Sequence, residues 1–279
     1  MNPIFSIIVP TYKRPDTLSE CLKHLSEAAK HFNNNEIEVI VTDDDDILET
    51  EKYLSRHKFN FHLSIVEGPH RGPAANRNNG AKLAQSDWLL FTDDDCLPDT
   101  DFIDSYRKAI VSYPDILVFE GKTIADREQR TFNEQAPINI TGNLFWSCNI
   151  CIHRNAFFSV SGFDEMFPYP YMEDIDLGTR LIRSFTVKFV DEAIVIHPWR
   201  PKRGWNGYRQ NIDSAIYFYQ KHYLSLKPSR FLYFKYFIAS IPKRFALLTK
   251  MKFKGTKNFF QENYFALRLA VRFFFNIKK

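Results

Sequence analysis

The chain has 279 residues, 44% of them hydrophobic and 25% charged, the composition of an ordinary folded protein able to bury a sizeable core. No apolar run reaches the about 18 residues that a spanning helix needs, and four cysteines at uneven spacing exclude a disulfide framework. The net charge of +4 is unevenly divided: from Arg200 onward 18 Lys and Arg face only Asp213 and Glu262, which leaves −12 on residues 1–199.

The N-terminus Met1-Asn2-Pro3-Ile4 lacks the basic and apolar regions of a signal peptide, and a cytoplasmic location is expected. The β-branched run Ile4 to Val9 predicts a first strand, stopped at Pro10. After a polar loop, Asp16 or Thr17 is expected to cap a helix that carries Leu18, Cys21, Leu22 and Leu25 at helical spacing. Ile37 to Val41 predicts a second strand that ends in Thr42-Asp43-Asp44-Asp45-Asp46. A helix to about Ser55 and a strand near Phe61 to Val66 follow. Gly68 to Asn79 reads as a loop, then a helix to about Ala84, then the strand Trp88 to Phe91, which runs straight into Asp93-Asp94-Asp95.

Such alternation predicts a largely parallel sheet with helices on both faces, and ligands of such sheets bind beyond the carboxyl ends of the strands. Thr11, Asp43 to Asp46 and Asp93 to Asp95 all fall there. Beyond Pro98 the expectations are a helix over Asp101 to Ser112, a strand over Ile116 to Glu120 and a long loop over Asp126 to Thr141. A helix from Glu173 to Arg183 and strands at Val187 to Val190 and Ala193 to Ile196 come next, ending at His197-Pro198-Trp199-Arg200.

Three crowded carboxylates repel one another unless a cation neutralises them, so Asp93 to Asp95 suit Mg2+ or Mn2+ bridging a phosphate-bearing substrate; a solvated acidic turn is the plainer reading. Asp45 and Asp46 suit a helix N-terminus, whose dipole favours negative charge. Arg71 and Arg77 suit bidentate phosphate contact or a salt bridge. Glu173, Asp174 and Asp176 suit either a helix cap or a general base. Cys148 and Cys151 make one CxxC without a partner pair, explained by a strand with alternating faces rather than by zinc.

The ordered segments resemble a family 2 glycosyltransferase of the GT-A fold over roughly residues 4–200. The resemblance is carried by Ile7-Ile8-Val9-Pro10-Thr11-Tyr12-Lys13-Arg14, Val41-Thr42-Asp43-Asp44, Ala75-Asn76-Arg77-Asn78-Asn79-Gly80, Phe91-Thr92-Asp93-Asp94-Asp95, Gly162-Phe163-Asp164-Glu165 and Glu173-Asp174-Ile175-Asp176-Leu177. It implies inverting transfer of a sugar from a nucleotide-diphosphate donor, with UDP the expected nucleotide, to a hydroxyl of a glycan or lipid-linked glycan in cell-surface polysaccharide synthesis. It further implies that Pro10, Thr11, Tyr12 and Arg14 meet the nucleotide, that Asp44 holds the base, and that Arg77 holds the nucleotide or diphosphate. Asp93 and Asp94 join that nucleotide set, Asp95, Asp93 and His197 hold the cation, Asp174 is the base, and Glu173 touches the acceptor. The turn Asp43-Asp44-Asp45-Asp46 and the pair Ser161-Gly162 depart from the family's usual DDGS and Gly-Gly.

The resemblance divides the chain into a catalytic domain over 1–200 and a basic, aromatic helical region over 201–279. The latter, with a last helix over Phe259 to Ile277, suits the inner membrane surface or packing on the body or on a second subunit. Arg200 and Arg203, between Trp199 and Trp205, suit a lid over the diphosphate or a plain basic linker. Two rival classes stay open. A nucleic-acid-binding protein explains the tail but not the acidic strand ends, and a sugar nucleotidyltransferase needs no base at Asp174.

Overall fold

The computed structural model describes residues 2–226 and 231–276. In chain order the elements are β1 (Phe5–Thr11), α1 (Pro15–Ala28), β2 (Ile37–Asp43), α2 (Ile47–Leu54), β3 (His62–Glu67), α3 (Pro73–Leu83), β4 (Trp88–Phe91) and β5 (Leu97–Pro98). They continue with α4 (Phe102–Ser112), β6 (Val118–Ala125), β7 (Glu134–Gln135), β8 (Ile150–His153), α5 (Arg154–Ser159), α6 (Glu173–Leu181) and β9 (Val187–His197). Last come β10 (Arg200–Pro201), α7 (Trp205–Leu226), α8 (Leu232–Lys250) and α9 (Thr256–Asn276). Ile277, the expected end of the last helix, lies outside the described residues.

Two compact units result. The first comprises residues up to Asp126 together with Pro137–Glu165 and Glu173–Pro198; the second comprises Arg127–Ala136, Met166–Met172 and Trp199–Lys279. In the first, one eight-stranded sheet has the order β3-β2-β1-β4-β8-β6-β9-β5. β1 pairs in parallel with β2 and β4, β2 with β3, and β6 with β9, whereas β8 runs antiparallel to β4 and β6. This is the α/β, mainly parallel architecture that the strand pattern predicts.

The two-residue period of a strand sends alternate side chains to opposite faces. Accordingly Phe5, Ile7 and Val9 of β1 enter a core built with Leu18, Leu22 and Leu25 of α1 and Phe102 and Tyr106 of α4. Ile8 enters the other core, with Ala74 and Ala81 of α3, Phe157 of α5, and Leu177 and Leu181 of α6. Helices therefore cover both faces, and the carboxyl ends of β1, β2 and β4 are left at one edge.

Several sequence expectations change. β1 is not stopped at Pro10 but pairs with β2 through Thr11, and β7 lies inside the loop expected over Asp126 to Thr141. Helix α3 begins at Pro73, so most of the expected loop from Gly68 to Asn79 is helical. Proline at the first helical position has its φ already set and lacks only an N–H that would be orphaned anyway. Pro15 does the same for α1, where no side chain caps the helix and Thr17 Oγ1 donates to Arg14 O at 3.1 Å. The strands expected on either side of Asp191-Glu192 are one strand, β9. There the register against β6 jumps from Gly121↔Val190 to Lys122↔Ile194, so the exposed acidic pair bulges without breaking the ladder. Cys148 lies outside β8, and both it and Cys151 are buried in the first core, so strand alternation does not explain the pair.

In the second unit β10 pairs antiparallel with β7, Arg200 opposite Gln135, and Trp199 Nε1 donates to Arg127 O at 2.7 Å. Arg200 and Arg203 are exposed there. Phe132 stacks edge-on against Phe259 of α9 at 5.7 Å and its N–H donates to Lys254 O at 2.9 Å. Arg244 of α8 donates to Asn263 Oδ1 of α9 at 3.1 Å, and Arg272 of α9 pairs with Asp213 of α7 at 2.5 Å.

Candidate active site

β1, β2 and β4 run parallel, so Thr11, Asp43-Asp44 and Asp93 to Asp95 leave the sheet at the same edge. The helix α3 stitches that edge together. Asn76 Nδ2 donates to Thr42 O at 2.8 Å and to Thr11 O at 3.4 Å, tying the tips of β2 and β1. One residue on, Arg77 is buried and its Nη2 pairs with Asp93 Oδ1 at 2.5 Å. Its Nη1 lies 3.9 Å from Glu173 Oε1 at the start of α6, and the guanidinium sits over the Phe163 ring at 5.4 Å. Next, Asn78 donates to Phe163 O at 2.8 Å and to Glu165 Oε1 at 2.9 Å and accepts from Phe163 N at 2.9 Å. Three consecutive side chains of one helix thus reach the strand tips, the acidic triplet and the Gly162-Phe163-Asp164-Glu165 turn.

That turn needs its glycine. Gly162 has φ +64°, and a Cβ there would stand 2.6 Å from Asn78 Oδ1 and 2.9 Å from the Phe157 ring. We expect Gly162→Ala to destabilise the protein by about 1–3 kcal/mol, from the left-handed backbone and the overpacking together. Thermal melts measure it, and an unchanged melting temperature would show that Asn78 and Phe157 yield at no cost.

Within the triplet the three carboxylates have separate partners. Asp94 is buried, accepts from Thr11 Oγ1 at 2.8 Å, and lies 3.3 Å from Arg14 Nη2. Burial pushes its carboxyl up to about 7, against the pull of Arg14. Asp95 Oδ2 receives Arg14 Nη1 at 2.9 Å, while its Oδ1 lies 3.4 Å from His197 Nε2. His197 is buried at the end of β9, and its Nδ1 lies 2.9 Å from Pro198 O. A proton on Nδ1 donated to that carbonyl leaves the Nε2 lone pair facing Asp95, the orientation that metal-binding histidines are held in.

Those residues fit a divalent cation. Donor atoms of Asp95, Cys96 and His197 all lie within 4.8 Å of one another. Carboxylate oxygen suits Mn2+ or Mg2+, and of the two the softer Mn2+ better accepts a neutral imidazole. Burial, then the hydrogen bond with Cys148, pushes the Cys96 thiol well up, and thiolate is in any case a softer ligand than Mn2+ or Mg2+ prefers.

Asp174 and Glu173 open α6 opposite Arg77. Burial, then the neighbouring Glu173 carboxylate, pushes Asp174 up to about 7, although its Oδ1 accepts from Ile175 N at 2.8 Å. Arg77 remains charged: burial works against it, but Asp93 and Glu173 more than offset that. Asp176, by contrast, is structural. It is buried and holds Arg180 at 2.6 Å, and Arg180 in turn donates to Val160 O.

Tyr12 is 52% exposed, with Lys13 Nζ over its ring at 5.0 Å, while Pro10 is buried. Both oxygens of Asp44 are engaged with backbone: Oδ1 accepts from His70 N at 2.8 Å and Oδ2 from Gly72 N at 3.0 Å. Asp44 therefore shapes the loop leading into α3. Asp43 accepts from Asp45 N and Thr50 Oγ1, and Asp46 caps α2 through Leu48 N and Glu49 N. Arg71 forms the salt bridge considered for it, 2.9 Å from Glu165. Sequence reasoning missed Asn76 and Asn78, although two polar residues flanking an arginine on a helix that covers a sheet were a signal that the polar face is the inner one.

Residues 6–167 match the family described as Glycosyl transferase family 2. A curated relative, the poly(ribitol-phosphate) beta-N-acetylglucosaminyltransferase TarS of Staphylococcus aureus (strain Mu50 / ATCC 700699), is 35% identical over 140 residues, covering 48% of this chain. This chain spans only 24% of that relative's length. Among solved structures, a mannosyltransferase of Pyrobaculum calidifontis in complex with GDP-Man and Mn2+ superposes with a TM-score of 0.61 at 15% identity, covering 100% of this chain and 89% of the other. TarS 1–349 of S. aureus in complex with UDP-GlcNAc superposes with a TM-score of 0.53 at 19% identity, covering 98% and 89%. At these identities the superpositions establish a shared fold.

Proposed function

We propose, from the premise that this chain belongs to glycosyl transferase family 2, that it moves a sugar with inversion from a UDP-sugar to a hydroxyl of a glycan or lipid-linked glycan, with the help of Mn2+ or Mg2+. The observation that carries the reading is Arg77, one buried cation that links Asp93 of the strand-end triplet to Glu173 of the helix that carries Asp174. Asp174 on that helix, raised to about 7 by burial, suits a general base toward an acceptor hydroxyl.

In this reading Tyr12 stacks on the base, and Thr11 and Arg14 line the nucleotide. Asp95 and His197 hold the cation, with Asp93 beside them. The bound cation supplies positive charge against the diphosphate as the glycosidic bond breaks. Arg77 adds a fixed positive charge, and its Nη1, which makes no hydrogen bond, keeps a donor for a substrate oxygen. Asp174 takes the proton of the attacking hydroxyl, on the side where Glu173 meets the acceptor. Attack from the face opposite the leaving diphosphate inverts the anomeric centre. The β-linkage in the name of TarS and its UDP-GlcNAc complex agree with such a reaction.

Calorimetry with UDP tests the donor side. Binding is expected with Mn2+ present, to weaken on chelation, and to weaken in Asp95→Ala. Equal affinity in all three conditions would remove the cation from the reading. Release of UDP on adding acceptor, rather than pyrophosphate, separates transfer to a hydroxyl from nucleotidyl transfer.

A further inference from the structure

We infer that the exposed faces of α8 and α9 form a docking surface for an anionic lipid bilayer, on which the second unit lies without crossing. Along α9, Phe260, Tyr264, Leu267, Val271 and Phe275 recur at spacings of four, three, four and four residues, and all are exposed, Phe260 at 66% and Phe275 at 75%. That is the period of a single helical face. On α8, Ile238, Ile241 and Phe245 obey the same period and are also exposed. The other faces are already satisfied: Leu248 of α8 and Phe259, Phe265 and Phe273 of α9 are buried. An exposed apolar stripe of five residues along one helix face marks a place that something covers.

Charge selects what covers it. Residues 231–276 hold nine Lys and Arg against Glu262 alone. Glu262 is itself engaged, by Lys202 at 2.6 Å and Arg244 at 3.8 Å. Lys243, Lys250, Lys252 and Lys257 are exposed. A second copy docking by the same face would bring the same excess of positive charge and be repelled. Nucleic acid would satisfy the cations, but bases stack on rings and would leave Ile238, Leu267 and Val271 in water. An anionic bilayer satisfies both demands, with phosphates for the lysines and acyl chains for the aliphatic and aromatic groups. No described helix is long and apolar enough to cross a membrane, so the helices lie in the interfacial plane. Lys257 and Arg268 of α9 flank the apolar stripe, three residues before Phe260 and four after Tyr264, so their stems extend along it while their charged groups reach the headgroups. Each cation close to an anionic leaflet strengthens binding by roughly fivefold, an attraction that salt screens.

The surface stands on α8 and α9 alone and does not depend on the sugar-transfer reading. The test is co-sedimentation of the intact protein with vesicles of phosphatidylcholine and phosphatidylglycerol in equal parts, beside vesicles of phosphatidylcholine only. Binding is expected to the anionic vesicles, to fall as salt is raised, and to drop by about tenfold or more in Phe260→Ser with Phe275→Ser. Lys257→Glu with Arg268→Glu tests the charge by an independent route, should the first variant fail to fold. Both variants should keep the melting temperature and the UDP affinity of the unaltered protein, because all four side chains are exposed. No binding to either vesicle, or equal binding to both, overturns the inference while leaving the UDP result standing. So does unaltered vesicle binding in folded variants, or a change of oligomeric state in the serine variant without vesicle binding by the parent.

Discussion

Asp174→Asn is expected to lower turnover by about 10²–10⁴-fold and to leave UDP affinity intact, because it keeps the shape of the side chain and removes only the proton acceptor. The accompanying pH profile sharpens the test. Asp174 is held at about 7 by burial and by Glu173, so it is protonated and idle below that value and becomes a base above it. Turnover of the parent enzyme should therefore rise with pH through about 7, and the Asn variant should lack that limb. Stability moves the other way. A carboxyl whose folded pKa is raised favours the fold while protonated, so its contribution is present below the ordinary value near 3.8 and is lost as pH rises through about 7. The parent should lose melting temperature across that window more steeply than the Asn variant. Turnover near that of the parent in Asp174→Asn would leave Asp174 as a helix-start residue bonded to Ile175 N, and nothing further.

The second large effect is structural as well as catalytic. Arg77→Met removes the cation between Asp93 and Glu173 and leaves two poorly solvated carboxylates facing each other. Breaking a buried ion pair from one side costs about 3–5 kcal/mol, far more than a surface pair is worth. The same change removes the guanidinium from above Phe163. A marked drop in melting temperature together with weakened UDP binding is expected. Arg77→Lys keeps the charge but not the planar fork that faces both carboxylates, so it should recover part of the stability and little of the turnover. A normal melting temperature in Arg77→Met would mean that Asp93 and Glu173 do not need this cation, and the site would have to be rebuilt around another residue.

The resemblance to family 2 could be read from six short segments, four of which sit at a strand end or helix start, where residue type is dictated locally. The acidic triplet is an example: an apolar strand of four residues cannot continue into three carboxylates, so a strand end is legible at Phe91. The misjudged elements have equally particular causes. Gly68 to Asn79 looks like loop because glycine, proline and asparagine favour turns. Yet the Pro73 ring suits a first helical turn, and Asn76 and Asn78 pay for burial by bonding Thr42 O and Phe163 O, contacts from distant parts of the chain. Asp191-Glu192 looks like a break because polar pairs end strands, but a bulge lets both point outward while β9 continues.

By itself, then, the sequence determined the periods: two-residue alternation in β1, helical spacing in α1, acids at strand ends, and the separation of an acidic body from a basic, aromatic end. Those are properties of neighbours along the chain, set by backbone geometry and by the cost of burying charge. Only the tertiary structure decided which carboxylates share a site and what each does there. Asp43, Asp44 and Asp46 look alike in sequence, yet they bond Thr50, the His70–Gly72 loop and the first turn of α2 respectively. Asp93 and Glu173 are 80 positions apart, and only the packing of α3 and α6 on the same face of the sheet places one guanidinium against both. Which of two similar acids is raised to about 7 depends on how much water and how many opposing charges surround it, and that is a property of the fold.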